Sequence, residues 1–147
     1  MTRSFPKEFS RYAGWSRGRF MRAGQELERR GEALAAALFE DQGWTVLDRN
    51  WRAGHAELDL GVRRGRVVAF VEVKTRTGEG CGDPLESITP RKRREVERVA
   101  RAWLRIRGEE LQDRCTFRFD AVAVILAPNA PSDLRHGPDA WCAGDSG

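Results

Sequence analysis

Phe70-Val71-Glu72-Val73-Lys74-Thr75-Arg76, read FVEVKTR, closes the run VVAFVEVKT (Val67 to Thr75) and sets a carboxylate and an ammonium two residues apart in an otherwise apolar stretch. β-branched and aromatic residues suit a pleated surface, and side chains alternate faces along a strand. Glu72 and Lys74 therefore share one face, opposite Val71 and Val73. Charge is costly on a half-buried sheet unless something compensates it. The stretch predicts a core strand whose polar face is the floor of a site.

The flanking sequence supplies the rest of a sheet. AELDLGV (Ala56 to Val62) alternates apolar with acidic residues, and Arg63-Arg64-Gly65-Arg66 then joins it to the core strand as a tight hairpin. WTVLDRNWR (Trp44 to Arg52) is rich in β-formers and predicts a third antiparallel strand. Downstream, the Gly-rich RTGEGCGDP (Arg76 to Pro84) reads as a loop, and Thr89-Pro90 has the form of an N-cap followed by the first residue of a helix. That helix carries Val96, Val99, Ala100, Trp103 and Leu104 on one stripe and ends near Gly108. TFRFDAVAVIL (Thr116 to Leu126) is a fourth strand, and a helix between two strands favours a parallel crossover. Upstream, Ala23 to Gln42 shows helical spacing of Leu27, Gly31, Leu34 and Leu38, with Gly43 at the C-terminal cap. The expected class is α/β, with a mixed central β-sheet flanked by helices.

The chain of 147 residues fits one domain, expected over residues 23–126. Residues 1–22 differ from it in composition, interleaving six basic residues with aromatics. They read either as a loosely packed tail or as a grip on phosphates and unpaired bases. The Pro- and Asp-rich residues 127–147 are expected to be a poorly ordered tail. No apolar run approaches the roughly 20 residues a membrane helix needs, so no membrane role is expected. Three widely spaced cysteines without a CxxC pair point to a reducing cytoplasm rather than a disulfide or zinc framework. A net charge of +4 leans toward an anionic partner such as nucleic acid.

A two-residue loop at Arg64-Gly65 would place Asp59 opposite Phe70, Glu57 opposite Glu72 and His55 opposite Lys74, all on one face. Asp59 and Glu72 would then be diagonal neighbours, and converging carboxylates call for a cation. Oxygen ligands without nearby cysteine point to Mg²⁺ or Mn²⁺, held by Asp59 and Glu72. Lys74 beside the ion suits it to stabilising charge on a phosphate. Glu57 reads either as a further ligand or as a solvated strand-end carboxylate. His55 reads as a surface group.

Asp59 followed by Glu72-Val73-Lys74 after a hairpin resembles the signature of the PD-(D/E)xK nuclease superfamily. In chain order, GEALAAALFEDQGWTVLDRNWR, ELDL, FVEVKTR, DPLESITPRK and FRFDAV resemble the YraN-like family of predicted bacterial endonucleases, similar in fold to archaeal Holliday-junction resolvases. The resemblance spans about Gly24 to Leu126, with Ala56 where the family usually has glycine and Leu58 where it usually has isoleucine. It implies a restriction-endonuclease-like core and Mg²⁺-dependent hydrolysis of DNA phosphodiesters, with Asp59, Glu72 and Lys74 catalytic. It also implies an accessory role for Glu32, through water to the metal, against the alternative of an ordinary helix-surface glutamate. Lys92, Arg91 and Arg76 are the expected DNA-facing residues, Lys92 at a helix N-terminus that favours phosphate. Asp120 is expected to be structural. A homodimer is an open expectation, since a junction enzyme needs two sites. The rival readings are a non-catalytic nucleic-acid-binding module and a protein-interaction subunit.

Overall fold

In the computed structural model, which describes residues 17–78 and 83–144 and side chains from residue 23 onward, the elements follow the expected order with one addition. Helix α1 (Arg17–Asp41) precedes β1 (Thr45–Ala53), β2 (Ala56–Arg64) and β3 (Val67–Thr77); α2 (Pro90–Ile106) then leads to β4 (Thr116–Leu126) and β5 (Asp133–Trp141). The five strands form one mixed sheet in the order β1-β2-β3-β4-β5, antiparallel except for the parallel β3–β4 pair that α2 connects. Of the basic, aromatic segment 1–22, residues 1–16 lie outside the described residues and 17–22 begin α1, which starts six residues before the expected Ala23.

Local chemistry accounts for the boundaries. Thr89 caps α2 by accepting the Lys92 backbone N–H at 3.2 Å, and Pro90 takes the first helical turn, where no intrahelical N–H is needed. Gly43, at a φ of 86°, ends α1 in the left-handed conformation that glycine adopts without a Cβ clash.

Each helix covers one face of the sheet. Ala35, Ala36 and Phe39 of α1 pack on Leu60, Val62, Val71, Val73, Val122 and Val124, while Val99, Ala100 and Trp103 of α2 pack on Leu58, Val68 and Phe70. β3 is consequently buried from Val68 to Val73, which explains its nearly continuous apolar reading.

Four sequence expectations are corrected. The hairpin turns at Gly65-Arg66, not Arg64-Gly65: Arg64 pairs with Val67 and the ladder runs to Leu60↔Val71. That moves the pairing by two residues and, within the ladder from Arg64 to Leu60, preserves which side chains share a face. His55 lies in the β1–β2 turn and has no place on the ladder. Ala56, Leu58 and Leu60, expected on one face, divide: Ala56 and Leu58 join the α2 layer and Leu60 the α1 layer, so alternation breaks between the two leucines. Finally, Asp133–Trp141, expected in a poorly ordered tail, is the edge strand β5. Fully buried Asp120 ties it down, accepting from Arg118 at 2.9 and 3.1 Å and from the Asp139 amide at 3.0 Å, with His136 Nε2 at 2.7 Å. Burial disfavours the Asp120 carboxylate, but these partners outweigh it and hold its pKa below the usual range, as a structural anion requires.

Candidate metal and phosphate site

Where the β2–β3 ladder stops, a cavity of about 440 Å³ opens between the sheet, α1 and the start of α2. Asp59 reaches across the gap, and its Oδ2 accepts the Val73 N–H at 2.8 Å, satisfying an amide on the β2 side of β3. The break in alternation beside Leu58 is thus the feature that leaves Asp59 at the cavity. Asp59 and Glu72 are 8% and 6% exposed, and Glu32 of α1 is buried beside them. Gly31 allows that approach: a Cβ built there would overlap the Thr75 hydroxyl and methyl on β3.

The sequence-predicted carboxylates converge. One oxygen each from Glu32, Glu57 and Asp59 lie within 4.8 Å of one another. Glu72 lines the same cavity as Asp59, and the two negative charges act on one another. Burial first, then the negative charges of Glu72 and Glu32, push the Asp59 pKa well above the usual carboxylate range. Burial likewise pushes Glu72 up to about 7, against the opposing pull of Lys92. Glu32 is also raised by burial, whereas at Glu57 burial is outweighed by hydrogen bonds from Arg29 and Arg52 and the pKa falls. Glu72 Oε2 is buried without a hydrogen-bond partner. A group of hard oxygen donors that repel one another, one of them unsatisfied, has the chemistry of a site for an oxygen-preferring divalent cation.

The cations are placed differently from the sequence reading. Lys74 is exposed on β3 and lines the cavity; among the described residues it makes no ion pair within 4 Å, and its charge acts on Glu72 from farther away. Lys92, expected on a DNA-facing surface apart from the metal pair, stands in the cavity wall with Nζ 3.8 Å from Glu72 Oε1 and 3.6 Å from Glu95 Oε2. Arg91 and Arg76 are exposed and lie outside the cavity lining.

The sequence reading missed Arg29, Asn50, Arg52 and Thr75. Asn50 carried a signal: an asparagine is unfavourable inside a run of β-formers, and here it sits in the left-handed region at a φ of 50°. Arg29, three residues before Glu32, is a helical neighbour of the accessory carboxylate. Nothing local distinguished Arg52 or Thr75.

Relatives share this chain over most of its length. A protein from Nocardia farcinica is 43% identical over 112 residues, which is 76% of this chain and 86% of the relative. One from Chlorobium chlorochromatii is 43% identical over 99 residues, 67% of this chain and 74% of its own. A third, from Geobacter sulfurreducens, is 44% identical over 103 residues, 69% of this chain and 78% of the relative. All three are described only as UPF0102 proteins. The model of the uncharacterised protein family UPF0102 matches residues 31–124, from the glycine beside Glu32 into β4, so Glu32, Glu57, Asp59 and Glu72 fall within it. With that match, and with relatives of this similarity, the chain belongs to family UPF0102, the YraN-like family.

Proposed function

We propose that this protein is a divalent-metal-dependent nuclease hydrolysing phosphodiester bonds in DNA, with Asp59 and Glu72 as the residues that would hold Mg²⁺ or Mn²⁺. The observation that carries the reading is the buried Asp59–Glu72 pair with its unsatisfied Oε2, in one cavity with Lys74 and Lys92. A bound divalent ion supplies Lewis-acid polarisation of a phosphoryl oxygen and lowers the pKa of water. The chain's own groups do the rest. Asp59, held by the Val73 amide, has a fixed orientation; Lys92 stays beside Glu72 and offsets its charge when no cation is present. Lys74, exposed at the mouth, is free to meet a phosphate and offset the charge that builds on it during in-line displacement. Arg76 and Arg91 lie farther out on the exposed surface, suited to holding the backbone on either side without contributing to the chemistry.

The test is cleavage of a panel of duplex, single-stranded, flapped and four-way-junction DNA by the full chain with Mg²⁺ or Mn²⁺, beside Asp59→Asn and Glu72→Gln. Metal-dependent cleavage lost in both variants supports the reading. Salt-sensitive DNA binding without cleavage of any substrate would instead favour a non-catalytic nucleic-acid-binding module.

A further inference from the structure

The acidic floor is not uniform. Arg29 Nη1 donates to Glu32 Oε2 at 3.0 Å and to Glu57 Oε1 at 2.9 Å, so one nitrogen bridges two carboxylates from α1 and β2. Asn50 Nδ2 bridges the same two oxygens, at 2.5 and 3.1 Å. Arg52 Nε takes the remaining Glu57 oxygen, Oε2, at 2.9 Å. Three donors from two elements thus occupy the Glu32–Glu57 half. Asn50 reaches it from a left-handed backbone, which asparagine adopts more readily than most non-glycine residues. The Asp59–Glu72 half is different. There the Val73 amide takes one Asp59 oxygen, Lys92 stands 3.8 Å from one Glu72 oxygen, and Glu72 Oε2, on a side chain more than nine-tenths buried, has no partner.

We propose that Arg29 is a permanent counter-ion of this site: its guanidinium fills the Glu32–Glu57 half, so the cavity takes one divalent cation, between Asp59 and Glu72, and a second only when the Arg29 charge is removed. The inference rests on the metal reading above and sharpens it. Glu32 and Glu57 are then positioning residues for Arg29 and for the neighbouring Asp59, not ligands. The physical reason is exclusion by charge and space. A divalent ion needs carboxylate oxygens at 2.0 to 2.6 Å, and Glu32 Oε2 and both Glu57 oxygens already accept from donors at hydrogen-bond distance. Displacing a guanidinium from a half-buried double ion pair would leave that guanidinium facing the incoming cation.

The experiment counts ions on the full chain by Mn²⁺ calorimetry, with free Mn²⁺ followed by electron paramagnetic resonance. The parent is expected to bind one Mn²⁺, Arg29→Lys one, and Arg29→Gln two, the second lost again in Arg29→Gln combined with Glu57→Gln. Nitrogen-detected NMR of the parent gives a measurement that does not depend on any variant folding: the Arg29 guanidinium signal should remain that of an ion-paired group after one equivalent of Mg²⁺. Two ions in the parent, one in Arg29→Gln, or release of the Arg29 signal by Mg²⁺ would each overturn the counter-ion role while leaving a metal site intact. No binding by the parent would overturn the metal reading itself, and this inference with it.

Discussion

Replacing Glu72 by glutamine should flatten the pH dependence of stability in the metal-free protein. Glu72 rises from an ordinary 4.5 to about 7 on folding, because burial disfavours its ionised form. Below pH 4.5 the group is protonated folded and unfolded, and costs nothing. Between 4.5 and 7 the unfolded chain ionises first, so stability falls as pH rises, and above 7 the full cost is present. At 1.36 kcal/mol per unit the loss is about 3 kcal/mol, or roughly 10 °C in melting temperature for a chain of this size. Asp59 and Glu32, raised by the same burial, act in the same direction. Glu57 and Asp120, both lowered, contribute stability that is complete above their unfolded values and lost only in more acidic solution, so neither masks the trend. The assay is thermal unfolding by circular dichroism in EDTA from pH 5 to 8, for the parent and Glu72→Gln. The parent should weaken steadily across the series and the variant less steeply, keeping the part that Asp59 and Glu32 contribute. Divalent ion at about 100 times its dissociation constant should return about 2.7 kcal/mol to the parent at pH 8. A parent profile flat from pH 5 to 8, or one unchanged by Glu72→Gln, would refute the argument.

Three further outcomes follow from particular contacts. Gly31→Ala should destabilise by about 1 to 3 kcal/mol, since the new methyl meets the Thr75 hydroxyl; Thr75→Ala in the same chain should recover part of it in a double-mutant cycle by urea unfolding. Lys74→Ala should bind Mn²⁺ like the parent yet slow cleavage by about 10² to 10³, measured in single turnover; an unchanged rate would leave Lys74 without a role in the chemistry. Asp120→Asn breaks a buried charge network and should cost about 3 kcal/mol or more, with hydrogen exchange rising first at β5 amides such as Asp139.

Much of this molecule was legible in its sequence, because the signals concerned act within a few residues. Apolar alternation marked β2 and a nearly continuous apolar run marked β3, Thr89-Pro90 marked the start of α2, and the helix between β3 and β4 implied their parallel pairing. Even with the hairpin turn placed one residue early, the faces within the ladder survived, since the resulting shift is two residues and side chains alternate with a period of two. Gly31 was readable in the helical spacing, and it stands where helix and sheet come close. Only the tertiary structure decided the rest. The split of Leu58 from Leu60 depends on two helices drawing on opposite faces of one strand, which no local pattern encodes. β5 contains Gly137 and Pro138 and scores poorly as a strand; pairing with β4 and the bonds to Asp120 make it one. Lys92 meets Glu72 from twenty residues away, and Arg29, Asn50 and Arg52 meet on Glu57 from two elements. Residue type and spacing specify which groups a strand or helix presents; which of them become partners is set by long-range packing, and that is where this site acquires its internal counter-ions.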